Sequence, residues 1–106
     1  MPMYLLRGSY SNEGYRGLAS EGGTGRRRAA EEALGSVGGR LEAFYFALGN
    51  DDFFIIAELP DNPTTVAVTM AGKLSGSFGI NATVLLTPEE LDVAASKAVD
   101  FRPPEA

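Results

Sequence analysis

The apolar positions of this chain gather in short dense runs, with stretches of helical spacing between them. Met3 to Tyr10 is rich in apolar and aromatic residues, has Arg7 as its one charge, and ends at the capping pair Ser11-Asn12, so a strand leads into a helix. A short helix is predicted from Glu13 to about Ser20, broken by Glu21-Gly22-Gly23-Thr24-Gly25. Ala30, Ala33, Leu34 and Val37 then recur at helical spacing until Gly38-Gly39 stops a second helix. Leu41 to Leu48 and Asp52 to Leu59 are strand-like runs divided by Gly49-Asn50-Asp51, the residues of a tight hairpin turn. Asp61 or Asn62 is placed to cap a helix with Pro63 in its first turn, carried on through Val66, Ala67, Met70, Ala71 and Leu74. Ile80 to Leu86 forms a fourth strand, and Thr87-Pro88-Glu89-Glu90 is a capping box opening a last helix through Leu91, Ala94, Ala95 and Ala98. Arg102-Pro103-Pro104 is not helical.

This order predicts an α+β chain: a ferredoxin-like βαββαβ two-layer sandwich with an extra C-terminal helix, over residues 1–101, and an extended tail over 102–106. A sheet covered by helices on one side should alternate apolar and polar residues. These strands do not alternate. Phe44, Phe46 and Leu48 share one face of the second strand while Ala43, Tyr45 and Ala47 share the other, and in the third strand Phe54 and Ile56 oppose Phe53 and Ile55. Leaving such side chains in water costs about 1.5–3 kcal/mol each, so a second copy stacking its sheet on this one, in a face-to-face dimer or higher oligomer, is expected. The helix from Pro63 to Ser75 has Lys73 as its only charge and small residues at Gly72 and Gly76, and is expected to be buried all round or to meet another subunit. A shift of one residue in hairpin register exchanges the sheet faces, leaving either Phe44 or Tyr45 to look into the enclosed space.

At 106 residues one domain is expected, and 44% apolar with 22% charged residues is an ordinary globular balance. Runs such as Phe53 to Ala57 fall far short of the roughly 20 residues a membrane helix needs, and the opening residues do not read as a signal peptide. A cytoplasmic protein without a membrane partner is expected. With no cysteine and no histidine, the chain has no disulfide, no thiolate and no Ser-His-Asp or Cys-His machinery, and only oxygen-ligand cations are open to it. No cofactor and no metal site are expected. The net charge of -5 disfavours nucleic acid as a partner, Arg26-Arg27-Arg28 being the one basic run.

Several residues are candidates for chemistry. Thr24-Gly25-Arg26-Arg27-Arg28 at a helix start is a candidate anion site, although Arg27 and Arg28 also precede Glu31 and Glu32 by four residues and suit a self-paired, solvated face. Arg7, a lone charge in an apolar strand, is expected to pair with Glu42 or Glu58 or to reach a pocket. Asn50-Asp51-Asp52 reads as turn chemistry or as a carboxylate cluster. Tyr4, Tyr10 and Tyr45 read as core or as the lining of a cavity between stacked sheets. Arg7, Tyr45 and Asp52 are the candidate ligand-binding residues.

The opening Tyr4-Leu5-Leu6-Arg7-Gly8-Ser9-Tyr10, the stretch Glu21-Gly22-Gly23 with Arg26 and Arg27, the block Gly38-Gly39-Arg40-Leu41-Glu42-Ala43-Phe44-Tyr45-Phe46 and the run Leu85-Leu86-Thr87-Pro88-Glu89-Glu90 together resemble the GYD domain family of small bacterial and archaeal proteins. That family's Gly-x-Tyr-Asp turn stands here as Gly49-Asn50-Asp51-Asp52, with Asp51 in place of Tyr. The resemblance implies the fold, related to the dimeric α+β barrels, and names no substrate. Three functional classes follow: an oligomeric, non-catalytic module binding a small molecule or a protein partner; a cofactor-independent oxygenase- or isomerase-like enzyme using Arg7, Tyr45 and a buried carboxylate; and an RNA-binding sheet, which the acidity disfavours.

Overall fold

The computed structural model describes residues 1–105. Its elements are β1 (Met3–Tyr10), α1 (Asn12–Ser36), β2 (Arg40–Phe46), β3 (Phe53–Glu58), α2 (Asn62–Leu74), β4 (Phe78–Leu85) and α3 (Pro88–Ala95). The strands form one antiparallel sheet in the order β2-β3-β1-β4, the ferredoxin-like arrangement, with α1 and α2 against one face.

Strand register decides what each face carries. Tyr4, Leu6 and Gly8 of β1 pair with Ala57, Ile55 and Phe53 of β3, and all six are buried beneath the helices. The alternate residues Leu5, Arg7, Phe54 and Ile56 lie on the open face. In β2, Leu41 and Phe44 are three apart and would fall on opposite faces of a regular strand. A bulge between Leu41 and Ala43 takes up Glu42 as an extra residue, so that Leu41, Phe44 and Phe46 face the helices while Ala43 and Tyr45 face outward. The register question is thereby decided: Phe44 belongs to the helix side and Tyr45 to the open side. The hairpin is also looser than the sequence suggests. The Asp52 carbonyl accepts the Ala47 N–H at 2.8 Å and Asp52 donates its own N–H to the Gly8 carbonyl at 2.7 Å, and the connection becomes Ala47–Asp52, with Leu48 fully exposed and outside any strand.

The predicted break at residues 21–25 shrinks to one residue. Gly22 alone leaves the helical region (φ 81, ψ 167), and this kink divides α1 into the two helical segments that the sequence predicts. Both ends of α1 are tied down. Ser11 caps the first turn, its N–H bonds the Ser77 carbonyl at 2.9 Å, and Gly14 presses against that same carbonyl. At the other end Leu34 is buried, Gly38 turns with φ 80, and the Gly39 N–H returns to the Leu34 carbonyl at 2.8 Å.

α2 packs on the sheet through its small side chains. It turns Thr65, Thr69 and Gly72 toward the sheet and leaves Val66, Met70 and Leu74 exposed, so it is not buried all round. The threonines are buried without penalty because their hydroxyls donate back to helix carbonyls, Thr65 to Asp61 at 3.0 Å and Thr69 to Val66 at 2.8 Å. Gly72 is needed for close approach: a Cβ there would lie 2.4 Å from the Phe78 ring. α3 has its capping box, Thr87 and Glu90 exchanging two bonds of 3.0 Å, yet it ends at Ala95, short of Ala98, and buries no residue. The Cα radius of gyration is 17.0 Å, against roughly 13 Å for a compact chain of this length; α3 and the chain after it stand away from the sandwich, with Leu91, Val93, Val99 and Phe101 exposed.

Two glycines of α1 give a paired test. A Cβ on Gly14 would sit 1.9 Å from the Ser77 oxygen, whereas one on Gly17 meets nothing within 4 Å. Gly17→Ala is expected to stabilise the fold by about 0.5–1 kcal/mol through helix propensity, and Gly14→Ala to destabilise it by about 1–3 kcal/mol, both read by denaturant titration.

Candidate functional site

The core is thin under the middle of α1, and the sequence explains why. From Ala19 to Ala33 the helix carries only Ala, Ser, Thr, Gly, Glu and Arg, so between Leu18 and Leu34 no large apolar side chain reaches the sheet. The facing side of α2 is equally small. The aromatic strand residues therefore line an open-sided cavity of about 420 Å³ between the two helices and the sheet, within the range of small-molecule pockets, about 300–1,000 Å³.

Its floor is aromatic. Tyr10 and Phe53 stack at 5.3 Å between ring centroids, and Phe78 closes the triangle at 5.9 Å from Tyr10 and 5.8 Å from Phe53. Phe44 joins Phe53 at 6.4 Å, and Leu6, Ile55 and Ile80 complete the strand side. Polar groups are few: Arg26 from α1, the Tyr10 hydroxyl, and Ser36, Ser75 and Ser77.

Charge is organised around Tyr10. Burial pushes its phenol pKa up, Glu21, Tyr15 and Asp52 add to that, and nearby Arg26 opposes it. The Asp52 carboxylate accepts the Tyr10 N–H at 2.9 Å, and its hydrogen bond with the Tyr15 hydroxyl raises that phenol's pKa as well. Both phenols are therefore protonated donors at neutral pH, unsuited to act as bases. Arg26 meets Glu21 at 3.3 Å.

The residues singled out from sequence are dispersed by the fold. Arg7 and Tyr45 flank Phe54 in one cross-strand row on the open face. Arg7 pairs with Asp51 at 3.7 Å and not with Glu42 or Glu58: the register sets Arg7 opposite Phe54 and Glu58 opposite Met3, four residues along β1, and both glutamates pair with Arg40. Asp52 is engaged with Tyr10, away from Arg7 and Tyr45, so the three candidates do not converge. Tyr4 and Tyr10 lie on the helix side, and Tyr4 donates its hydroxyl to Asn62 Oδ1 at 2.5 Å; of the three tyrosines only Tyr45 faces the open side. Arg26, Arg27 and Arg28 lie shortly after the Gly22 kink, near the start of the second helical segment of α1: Arg26 turns to the cavity, and Arg27 and Arg28 are exposed. Among the described residues no ion pair joins these two to Glu31 or Glu32, and no cluster of three or more acidic residues could hold a metal ion. Glu21 and the helix-side cavity were missed from sequence; the signal was the run 19–33 without a large apolar residue opposite strands rich in Phe.

The Asp52 contacts yield a pH-dependent prediction. A raised phenol pKa stabilises the fold below the ordinary value of about 10, and that contribution is lost as pH rises through the raised value. Asp52→Ala is expected to bring the Tyr15 titration down toward the ordinary value, followed by ultraviolet tyrosinate absorbance. Leaving the Tyr10 N–H without its partner should cost about 1–3 kcal/mol of stability at neutral pH.

No helix among the described residues is long and apolar enough to cross a membrane. No curated protein matches the chain. Residues 4–95 match the GYD domain, and with that match spanning most of its length, from β1 to the end of α3, the chain belongs to the GYD domain family.

Proposed function

We propose that this protein is a non-catalytic binding module that takes a small, largely apolar molecule into the cavity beneath α1 and α2, and that it works as a homo-oligomer joined through the open face of its sheet. The observation carrying the binding reading is the cavity of about 420 Å³ with its aromatic floor and few polar groups, a lining suited to burying an apolar ligand. The chemistry of the lining supports the non-catalytic part: the chain has no histidine or cysteine, the cavity is lined by no carboxylate, and its one phenol, Tyr10, has a raised pKa and stays protonated. One feature favours a cofactor-independent enzyme instead, the placement of Arg7 and Tyr45 side by side about Phe54 on the open face, where a partner sheet would enclose them.

The open face supports self-association. Leu5, Phe54, Ile56, Ala43 and Tyr45 form an apolar field bounded by the ion pairs Arg7–Asp51 and Arg40–Glu58. Charges of both signs at the margins let two copies related by a two-fold axis meet without like charge facing like. Burying this field also removes apolar side chains from water, each worth about 1.5–3 kcal/mol when fully covered. The interface test therefore belongs to Phe54 and Tyr45 and not to Phe44 or Phe46, which face the helices.

Native mass spectrometry of the protein as it comes from cells should report an even-numbered assembly, with added small-molecule mass. Phe54→Lys should give folded monomers by light scattering; an unchanged assembly would remove the open face as the interface. Ala30→Phe, which projects a ring into the cavity, should abolish the added mass while circular dichroism stays unchanged.

A further inference from the structure

We propose that the occupant of the cavity carries a single carboxylate, bound by the Arg26 guanidinium and the Tyr10 hydroxyl, on an apolar or aromatic body. The inference rests on the cavity being a binding site and specifies the ligand's chemistry. Arg26 is the one cation in the lining, and its side chain is only 31% exposed. In the structure it is balanced by Glu21 across 3.3 Å, a side chain that is 40% exposed and does not itself line the cavity.

A guanidinium presents five N–H donors in a flat fork, more than one Glu21 oxygen engages. A ligand carboxylate entering the cavity can take a bidentate pair on that fork, with the Tyr10 phenol as a further donor. Glu21 is thus the internal stand-in for the ligand's acid group. Its position suits release, since it directly precedes Gly22, the kink of α1. A dianion such as a phosphate is disfavoured, because one partly neutralised cation and the nearby Asp52 and Glu21 carboxylates leave the site short of positive charge. The triangle of Tyr10, Phe53 and Phe78 then receives the ligand's apolar end.

The test is titration calorimetry of the full chain with phenylbutanoate and with phenylbutanol, molecules alike in their apolar part and different in charge. Phenylbutanoate should bind about tenfold more tightly or better. Arg26→Gln should remove that preference while leaving phenylbutanol affinity unchanged. Glu21→Gln should tighten phenylbutanoate alone, an increase in affinity that damage to the fold would not produce. Equal affinity of the wild-type protein for acid and alcohol, or an unaltered preference in Arg26→Gln, would overturn the carboxylate assignment and leave the cavity reading standing. If neither molecule binds, and Ala30→Phe likewise changes nothing in the mass carried from cells, the cavity reading fails and this inference with it.

Discussion

α1 is tied to the sheet at its two ends, and between them inserts no large apolar side chain, so the helix side of the molecule follows from how little that span fills. At the start, Gly14 lets the helix backbone lie against the Ser77 carbonyl, and at the end Leu34 enters the core before Gly38 and Gly39 turn the chain into β2. The segment between has nothing large to insert. Close packing normally fills a domain interior to crystal-like density, whereas a helix that spans aromatic strands with Gly, Ala and Arg leaves an open-sided space over them. The kink at Gly22 lies within this unsupported span, beside Glu21 and ahead of Arg26.

The two faces of the sheet divide the labour. The helix side holds the cavity and the tyrosines that organise its charge, while the open side holds an apolar field with matched ion pairs at its edges. One residue keeps these faces distinct: Glu42, taken up in the β2 bulge, restores Leu41 to the helix side and aligns Tyr45 with Phe54 and Arg7 across the open face. Exposed apolar residues on α2 and α3 add further surface that self-association can cover, and the acidic first turn of α3 keeps that helix well formed although it packs on nothing.

The family assignment and the geometry bear on different questions. Membership in the GYD domain family agrees with the ferredoxin-like strand order and names no activity. In this member the turn Gly49-Asn50-Asp51-Asp52 does structural work: Asn50 receives the Ser9 hydroxyl, Asp51 faces Arg7, and Asp52 fixes both the Gly8 carbonyl and the Tyr10 amide. The chemistry is in how the loop ties β1 down, close to the cavity but not in it.

The element order, the caps at Ser11, Asp61 and Thr87, and the stop at Gly38-Gly39 were all legible in the sequence, because each depends on residues within a turn of one another. The two-sided apolar character of the strands was legible for the same reason, since side-chain direction in a strand alternates locally. Which side the helices take was not, because it depends on a bulge opposite Ile56 and Ala57 in another strand. The direction of α2 was not legible, since Val66, Met70 and Leu74 form the more apolar stripe, yet the space above β4 admits the small side of the helix, where Phe78 fills the room at Gly72. The partner of Arg7 was not legible either, because strand register decides it: Glu58 lies opposite Met3 and Arg40, while Arg7 lies opposite Phe54, within reach of Asp51. The cavity itself is a property of what two helices fail to fill, and no single segment of the chain contains it.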